Sequence, residues 1–308
     1  MERGQISAPV FNIVHGSMVD GWGLRTTVFL KGCPLQCLWC CNPEGQKKIL
    51  ELKYSVEDCN GCGNCVGVCP RGAIEIAEGS GRSVARINRT SCYDCLLCKE
   101  VCYTGALTVF GKEYTVEELF RAVAKDQSYF GIDGGVTIGG GEATVHAEFT
   151  LAFIRKCKEN YIHTALDTCG YITTEEGLKA LEEADLVLYD IKGMDEKTHI
   201  EATGVSNRII HENLLHRDSI GKEIIIRLPI IPGYTDTEEN LRATAEYLKP
   251  MEAIKRIDIL PLHKYSEVKY RNLGRSIPDV FSNEIPVERE NELIEFFRGY
   301  GFNAQIDG

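Results

Sequence analysis

From residue 112 onward, short apolar runs alternate with segments whose apolar residues recur every three or four positions. "GGVTI" (134–138), "HTALD" (163–167), "DLVLYD" (185–190), "EIIIRLPII" (223–231) and "RIDILPL" (256–262) have the length and β-branched content of buried strands. Between and after them, "VEELFRAVAKD", "AEFTLAFIRKCKEN", "RIIHENLLHRD", "TEENLRATAEYL" and "VERENELIEFFRGYG" carry the helical period. Thr115-x-x-Glu118 and Thr173-x-x-Glu176 are capping-box signals that open two of the helices. Adding "LRTTVFL" (24–30) gives six strands, most followed by a helix. Such alternation predicts an α/β fold with a parallel sheet wound by right-handed crossovers. Six units predict a partial (β/α)6 barrel, open on one side; a doubly wound open sheet fits the same pattern.

Residues 53–110 break the alternation. They hold an internal repeat, "CNGCGNCVGVCP" and "CYDCLLCKEVCY", each followed by a similar tail, "RGAIEI" or "TGALTV". A duplicated unit this short buries little core, so bound metal is expected to hold it together. The expected organisation is a barrel built from residues 1–52 and 111–308, with residues 53–110 as an insert.

Composition narrows the function classes. The 308 residues are 44% hydrophobic, enough for a full core. A formal charge of −11 argues against a general nucleic-acid binder. No apolar run is long enough to span a bilayer, and "MERGQISAPVFNIV" does not read as a signal peptide, so a cytoplasmic address is expected. There the 14 cysteines read as metal ligands or redox groups rather than disulfides.

Eleven cysteines fall into three groups. The repeat's C-x2-C-x2-C-x3-C spacing is the bacterial ferredoxin run, whose fourth cysteine ligates the other cluster. By that rule Cys59, Cys62, Cys65 and Cys102 hold one [4Fe–4S] cluster, and Cys92, Cys95, Cys98 and Cys69 the second. Pro70 follows its cysteine as the pattern asks, whereas Tyr103 stands where the second proline belongs. Four-cysteine zinc sites are the alternative, though these usually show two distant C-x2-C pairs. Cys33, Cys37 and Cys40 form a different site: three cysteines on one loop bind three irons of a cubane and leave the fourth open, as a reactive site requires. Cys41, adjacent to Cys40, reads as a non-ligand.

Functional groups of parallel barrels collect where strands end. The Cys33 loop follows the first strand, and Gly139, Gly140, Gly141 and Glu142 end the second. Asp167 ends the third, Asp190 and Lys192 the fourth, Arg227 lies late in the fifth, and His263 follows the sixth. Each alone has a bland reading: a glycine turn, a solvated charge, a structural histidine. Their shared placement is what marks a site. Cys157 and Cys169 read as small buried apolar residues, and the other histidines carry no spacing signal.

Cys33-x3-Cys37-x-Trp39-Cys40 resembles the signature of radical S-adenosylmethionine enzymes. The longer stretch "DGWGLRTTVFLKGCPLQCLWCCNPE" is similar to the opening of glycyl-radical-enzyme activating enzymes, with Trp22 in place of their proline and Cys41 in place of their histidine. "GGGEA", "LDTCG", "YDIK", "IIRLPIIPG" and "ILPLH" extend the resemblance along the chain. It implies three [4Fe–4S] clusters, with S-adenosylmethionine bound at the open iron beside Trp39. The glycine loop would meet the methionyl amino group and Lys192 and Arg227 its carboxylate. Asp190 and His263 would bond ribose or adenine, and Asp167 with Asp190 would form a monovalent-cation site. The implied reaction is reductive cleavage to a 5′-deoxyadenosyl radical that takes hydrogen from a backbone glycine of a partner glycyl radical enzyme. A low-potential donor, flavodoxin or ferredoxin, is implied as a second partner. The rival readings are a radical enzyme acting on a small molecule or ribosomal peptide, an electron carrier, and a zinc-bound interaction module.

Overall fold

The computed structural model describes residues 6–79, 81–282 and 285–307. The six expected strands are present as β2 (Arg25–Leu30), β8 (Gly135–Gly140), β9 (His163–Thr168), β10 (Leu186–Asp190), β11 (Ile224–Ile230) and β12 (Ile254–Pro261). They run parallel, each hydrogen-bonded to the next. Alternation decides which face each residue takes. Along β11, Ile224, Ile226, Leu228 and Ile230 join the main core, whereas Ile225 packs in a separate cluster with Ala165, Leu186 and Leu188. The two faces explain why these strands read as unbroken apolar runs.

The sheet has nine strands, in the order β13-β12-β11-β10-β9-β8-β2-β1-β7. The three unexpected ones lie toward its edges. β1 (Ser7–Ser17) and β7 (Lys112–Thr115) are antiparallel and extend the sheet beyond β2. β13 (Ala304–Ile306) pairs parallel with β12 as a seventh parallel strand. β7 and β13 end the order unpaired to each other, so the barrel is open between them. At the strands' N-terminal end, Trp22 packs against that inner apolar cluster. Its indole N–H donates to Glu223 at 3.0 Å and the Arg256 guanidinium lies 4.5 Å over its ring. Trp22 is therefore a floor plug.

The helices cover the outer face. In α3 (Val116–Val123) the Thr115 hydroxyl accepts from the Glu118 N–H while the Glu118 carboxylate accepts from the Thr115 N–H, the box expected from sequence. The cap of α5 (Glu175–Glu183) is displaced by one residue: Thr174, not Thr173, is the extended residue whose hydroxyl accepts from Gly177 N–H. α4 (Ala147–Glu159), α7 (Arg208–Ile220), α8 (Glu238–Leu248) and α10 (Val287–Gly299) match the amphipathic segments. α6 (Glu196–Thr203) and α9 (Glu267–Leu273) were not expected.

The insert begins and ends in one antiparallel pair, β3 (Glu51–Tyr54) with β6 (Leu107–Phe110). Between them lie the hairpin β4 (Ile74–Gly79)–β5 (Arg82–Ile87) and two one-turn helices, α1 (Asn64–Gly67) and α2 (Leu97–Glu100). The duplication is visible in the backbone, since each short helix follows a left-handed residue, Gly63 or Leu96. Its core is small, and three of its nine buried members are cysteines, Cys59, Cys65 and Cys98. No helix among the described residues is long and apolar enough to cross a membrane.

Candidate active site and cluster sites

Register places the inward side chains at common heights. Asp190 on β10 lies beside Arg227 on β11, which lies beside Asp258 on β12. At the C-terminal ends of the strands a cavity of about 390 Å³ opens. It is lined by Cys33, Cys37, Trp39, Cys40, Gly140, Gly141, Asp167, Asp190, Lys192, Arg227 and His263 together. Apart from Gly139 and Glu142, the residues singled out across six strand ends thus converge on one space.

The cysteine loop is held rigid from both sides. Cys33 N–H donates to Gln46 O at 2.9 Å, and Gln36 and Leu38 N–H groups donate to Thr203 and Ala202 O. From α9, the Tyr270 hydroxyl donates to Cys40 O at 2.9 Å and Lys269 Nζ to Cys41 O at 3.2 Å. Burial pushes the Cys37 and Cys40 thiols up to about 12, each further opposed by neighbouring thiols. Cys33 is shifted down, chiefly by a bond from the Cys169 thiol. Thiols gathered in a buried pocket, with only Lys192 to favour their charged form, are what a metal cluster would relieve, since it deprotonates its ligands. Cys41 Sγ turns toward Trp39 O.

Two of the residues expected to contact the cofactor have other partners in the structure. Neither Gly139 nor Glu142 lines the cavity. A Cβ at Gly139 would meet Asp167, 2.9 Å from its Cβ, so this glycine makes room for the carboxylate. Glu142 is 1% exposed and its carboxylate is spent internally. It accepts from Thr144 N–H and hydroxyl, Thr168 hydroxyl and Cys169 N–H, at 2.7–3.0 Å. It braces the β8 loop to the β9 loop. Gly140, at φ +123°, is in a conformation side chains rarely adopt, and a Cβ there would collide with Leu30 backbone.

The charges deep in the cavity are paired but unbalanced. Lys192 Nζ lies 2.6 Å from Asp190 and Arg227 Nη1 lies 3.2 Å from Asp167 and 3.8 Å from Asp20. Burial, with Asp190 and Asp20 nearby, pushes the Asp167 carboxyl up to about 7 despite Arg227. Asp190 and the thiols hold the Lys192 ammonium firmly charged, against the cost of burial. Asp20, Asp167 and Asp190 thus face Lys192 and Arg227, one carboxyl in excess where a positively charged guest is favoured, while Lys269 and Asp307 also line the wall. Arg227 Nε and His263 Nδ1 are buried without a partner, polar atoms a bound ligand would satisfy.

Sequence reasoning missed Asp20, Cys169, Lys269 and Asp307, which share the cavity wall. Asp20 lay inside the quoted "DGWGLR" and was signalled by that motif. Cys169 is buried as expected, yet it touches Cys33 rather than only packing. Asp307 gave no signal, standing next to the chain's last residue.

In the insert, Cys59, Cys62, Cys65 and Cys102 line a single small cavity. Cys65 is pushed up by burial and then by Cys59, Cys62 and Cys102, so the thiol of the second repeat that joins the first set is the fourth one. Backbone N–H groups of Ala85, Leu107 and Ala73 donate to the sulfurs of Cys59, Cys102 and Cys69 at 3.2–3.3 Å. Burial pushes Cys98 up to about 11, with Cys92, Cys65 and Cys95 adding to it. The first thiol set fits the crosswise ferredoxin arrangement.

Family models match in two places: the radical SAM superfamily over residues 100–248 and a 4Fe-4S dicluster domain over residues 58–106. The isethionate sulfite-lyase activating enzyme of Nitratidesulfovibrio vulgaris is 42% identical over 87% of this chain and 88% of its own. The choline trimethylamine-lyase activating enzyme of Oleidesulfovibrio alaskensis is 40% identical over 97% of both chains. The trans-4-hydroxy-L-proline dehydratase activating enzyme of Clostridioides difficile is 36% identical over 97% of this chain and 99% of its own. Among solved structures, QueE from Escherichia coli covers 99% of this chain at 13% identity with a TM-score of 0.51, a likeness of fold alone.

Proposed function

The chain belongs to the glycyl-radical-enzyme activating enzymes of the radical S-adenosylmethionine superfamily, and from that premise we propose how its residues divide the work. When bound, a site-differentiated [4Fe–4S] cluster and S-adenosylmethionine supply one-electron cleavage of the sulfonium, and the resulting 5′-deoxyadenosyl radical takes a hydrogen atom from a backbone glycine of the partner enzyme. Cys33, Cys37 and Cys40 hold that cluster. Lys192 and Arg227 orient the methionyl carboxylate by charge-assisted bonds, Gly140 and Gly141 admit the amino group, and Trp39 packs beside it. His263 and Asp190 hold the nucleoside end. A monovalent cation between Asp167 and Asp190 would be stabilised by the acid excess around it.

The insert carries two further [4Fe–4S] clusters on the crosswise sets, giving three per chain. We place them in order. Cys62 is exposed and its set borders the β4–β5 hairpin through Ala85. The Cys92 set faces the barrel: Arg89, three residues before Cys92, donates to Asn272 O on α9, and α9 in turn bonds the Cys40 carbonyl. The outer set is therefore the entry for electrons from a flavodoxin or ferredoxin in the cytoplasm, and the inner set passes them on.

The relatives are named for partners of different chemistry, so the shared target is the glycine loop rather than any metabolite. The observation that carries the reading is the convergence of the Cys33 loop with the strand-end charges on one cavity. Electron paramagnetic resonance on the reduced, anaerobically reconstituted protein with S-adenosylmethionine and its glycyl radical enzyme should show a glycyl doublet near the free-electron position. Iron and acid-labile sulfide should reach about twelve atoms each per chain. 5′-Deoxyadenosine without any doublet would send the search to a small-molecule or peptide substrate.

A further inference from the structure

The active cavity has two ends with different chemistry. One is the sulfur end, fed by β2, where the Cys33 loop, Lys192 and the glycines lie. The other is at the opposite edge of the parallel strands, where Asp307 directly follows β13, the edge strand beside the barrel's opening. Gln305 pairs with Asp258 across β13 and β12, so Asp307, two residues on, projects from the same face nearer the mouth. Its backbone N–H donates to Ile259 O at 3.0 Å, which fixes the residue to the strand.

Asp307 is 8% exposed and its Oδ2 is buried with no partner. Of the charged groups around it, Arg256 and Asp20 are committed elsewhere, and Arg227 keeps an unpartnered Nε that does not reach Asp307 within hydrogen-bond distance. Arg256 is bound to both oxygens of Asp258 at 2.6 and 2.8 Å. Arg227 Nη1 is turned to Asp167, and Asp20 accepts from Ser17 and Thr27. Burial, then the Asp258 charge, pushes the Asp307 carboxyl up to about 6, against the pull of Arg227. A buried acceptor facing a cavity and lacking a donor costs free energy until something supplies one. Leu260 and Pro261 of β12 line the same cavity, and no donor among the described residues reaches Asp307 Oδ2.

We propose that Asp307 is a positioning residue for the substrate loop, accepting a hydrogen bond from a backbone N–H next to the glycine that enters through the open side of the barrel. This rests on the activase reading. A glycine loop brings amide N–H donors to the wall without side chains that would clash with it, and a carboxylate is a charge-assisted acceptor for such a donor. Nothing in this role touches the sulfonium, so cofactor cleavage and substrate positioning separate cleanly.

The test uses the full-length, cluster-loaded enzyme with isethionate sulfite-lyase and choline trimethylamine-lyase as protein probes. Asp307→Ala should raise KM for whichever probe the wild type activates about tenfold, with S-adenosylmethionine affinity and partner-free 5′-deoxyadenosine formation within twofold of wild type. Asp307→Asn, which keeps an acceptor oxygen, should recover most of the loss. A KM unchanged in Asp307→Ala would overturn the proposal, and so would weakened S-adenosylmethionine binding, which would put Asp307 on the cofactor. A fold-wide effect would appear as a lowered melting temperature in both variants and no recovery in Asp307→Asn, again overturning it. A wild type that cleaves S-adenosylmethionine yet leaves both probes radical-free overturns the activation of these partners before any variant is compared, a separate result from an indifferent Asp307→Ala.

Discussion

Arg217 is completely buried on α7, and its guanidinium donates to the carbonyl oxygens of Leu181, Glu182 and Ala184 and of Asp185 and Glu223, at 2.7–3.3 Å. The C-terminal end of α5 leaves carbonyls without helical partners and carries negative dipole charge, and a buried cation answers both. Burial lowers the Arg217 pKa to about 10, so it stays charged at neutral pH. Arg217→Met should cost about 3 kcal/mol, read as a lower urea midpoint, because the Leu181, Ala184 and Asp185 carbonyls lose this donor at once, while Glu182 O keeps Lys222 and Glu223 O keeps the Val187 N–H. A loss under about 1 kcal/mol would mean water reaches that helix end. In sequence, "RIIHENLLHRD" shows only its helical period: four of the five carbonyls Arg217 serves lie more than thirty residues away, where periodicity says nothing. Glu142 misled in the opposite direction, since a carboxylate after a glycine turn looks the same whether it meets a ligand or a neighbouring loop. His199 gives a pH prediction at the same scale. Its Nδ1–H donates to Val205 O, its Nε2 has no partner, and burial holds its pKa below the usual range. As pH falls the unfolded chain, with a histidine pKa of about 6.5, takes the proton before the folded one does. Stability is therefore full above about pH 6.5 and is lost progressively below it. The urea midpoint should fall between pH 7.5 and 5.5, and His199→Gln should make the fall shallower; an unchanged slope would assign it to other groups.

Among elements, the legible ones were those whose residues are buried by their own pattern. β8 to β12 are apolar runs and α3, α4, α7, α8 and α10 carry a helical stripe, so local sequence and tertiary role agree. β13 has three residues and β7 four, too short to show a period. α9 lies in a polar stretch and is defined by what it holds, the Cys40 and Cys41 carbonyls. The joint between barrel and insert was equally silent, because it is a charge network between distant segments. Glu51, at the start of β3, accepts from Lys31 Nζ at 3.1 Å and Arg275 at 2.6 Å. Arg275 also donates to Pro43 O and Gln46, beyond the cysteine loop. Lys31 is fully buried, and burial lowers its pKa while Glu51 opposes the shift. Glu51→Gln should cost about 3 kcal/mol, since it leaves a buried ammonium without its counter-charge. Urea unfolding with an unchanged m-value checks this, and a neutral outcome would mean that the Glu44 carbonyl, which also accepts from Lys31, suffices alone.

At the scale of the whole molecule, the proposed relay from solvent to the Cys33 loop takes its order of stations from the layering of insert, α9 and barrel. The repeat spacing gave the ligand sets but not their order, because two copies of one motif are equivalent until packing makes them unequal. Packing does so through Arg89, which donates to Leu52 O in the insert and to Asn272 O on α9, both at 2.9 Å, on the side of Cys92 and away from exposed Cys62. Two variants then differ in a way that only this order produces. With a reduced protein donor, Cys62→Ala should stop reduction of both the inner insert cluster and the Cys33 cluster. Cys95→Ala should leave the Cys59 set reducible, seen as its own paramagnetic signal, while the Cys33 cluster stays oxidised. A small reductant such as dithionite reaches the barrel without the insert and should restore S-adenosylmethionine cleavage in both. If the donor reduces the Cys33 cluster of Cys95→Ala at the wild-type rate, electrons enter elsewhere. The insert would then serve to shape the surface beside the barrel's mouth.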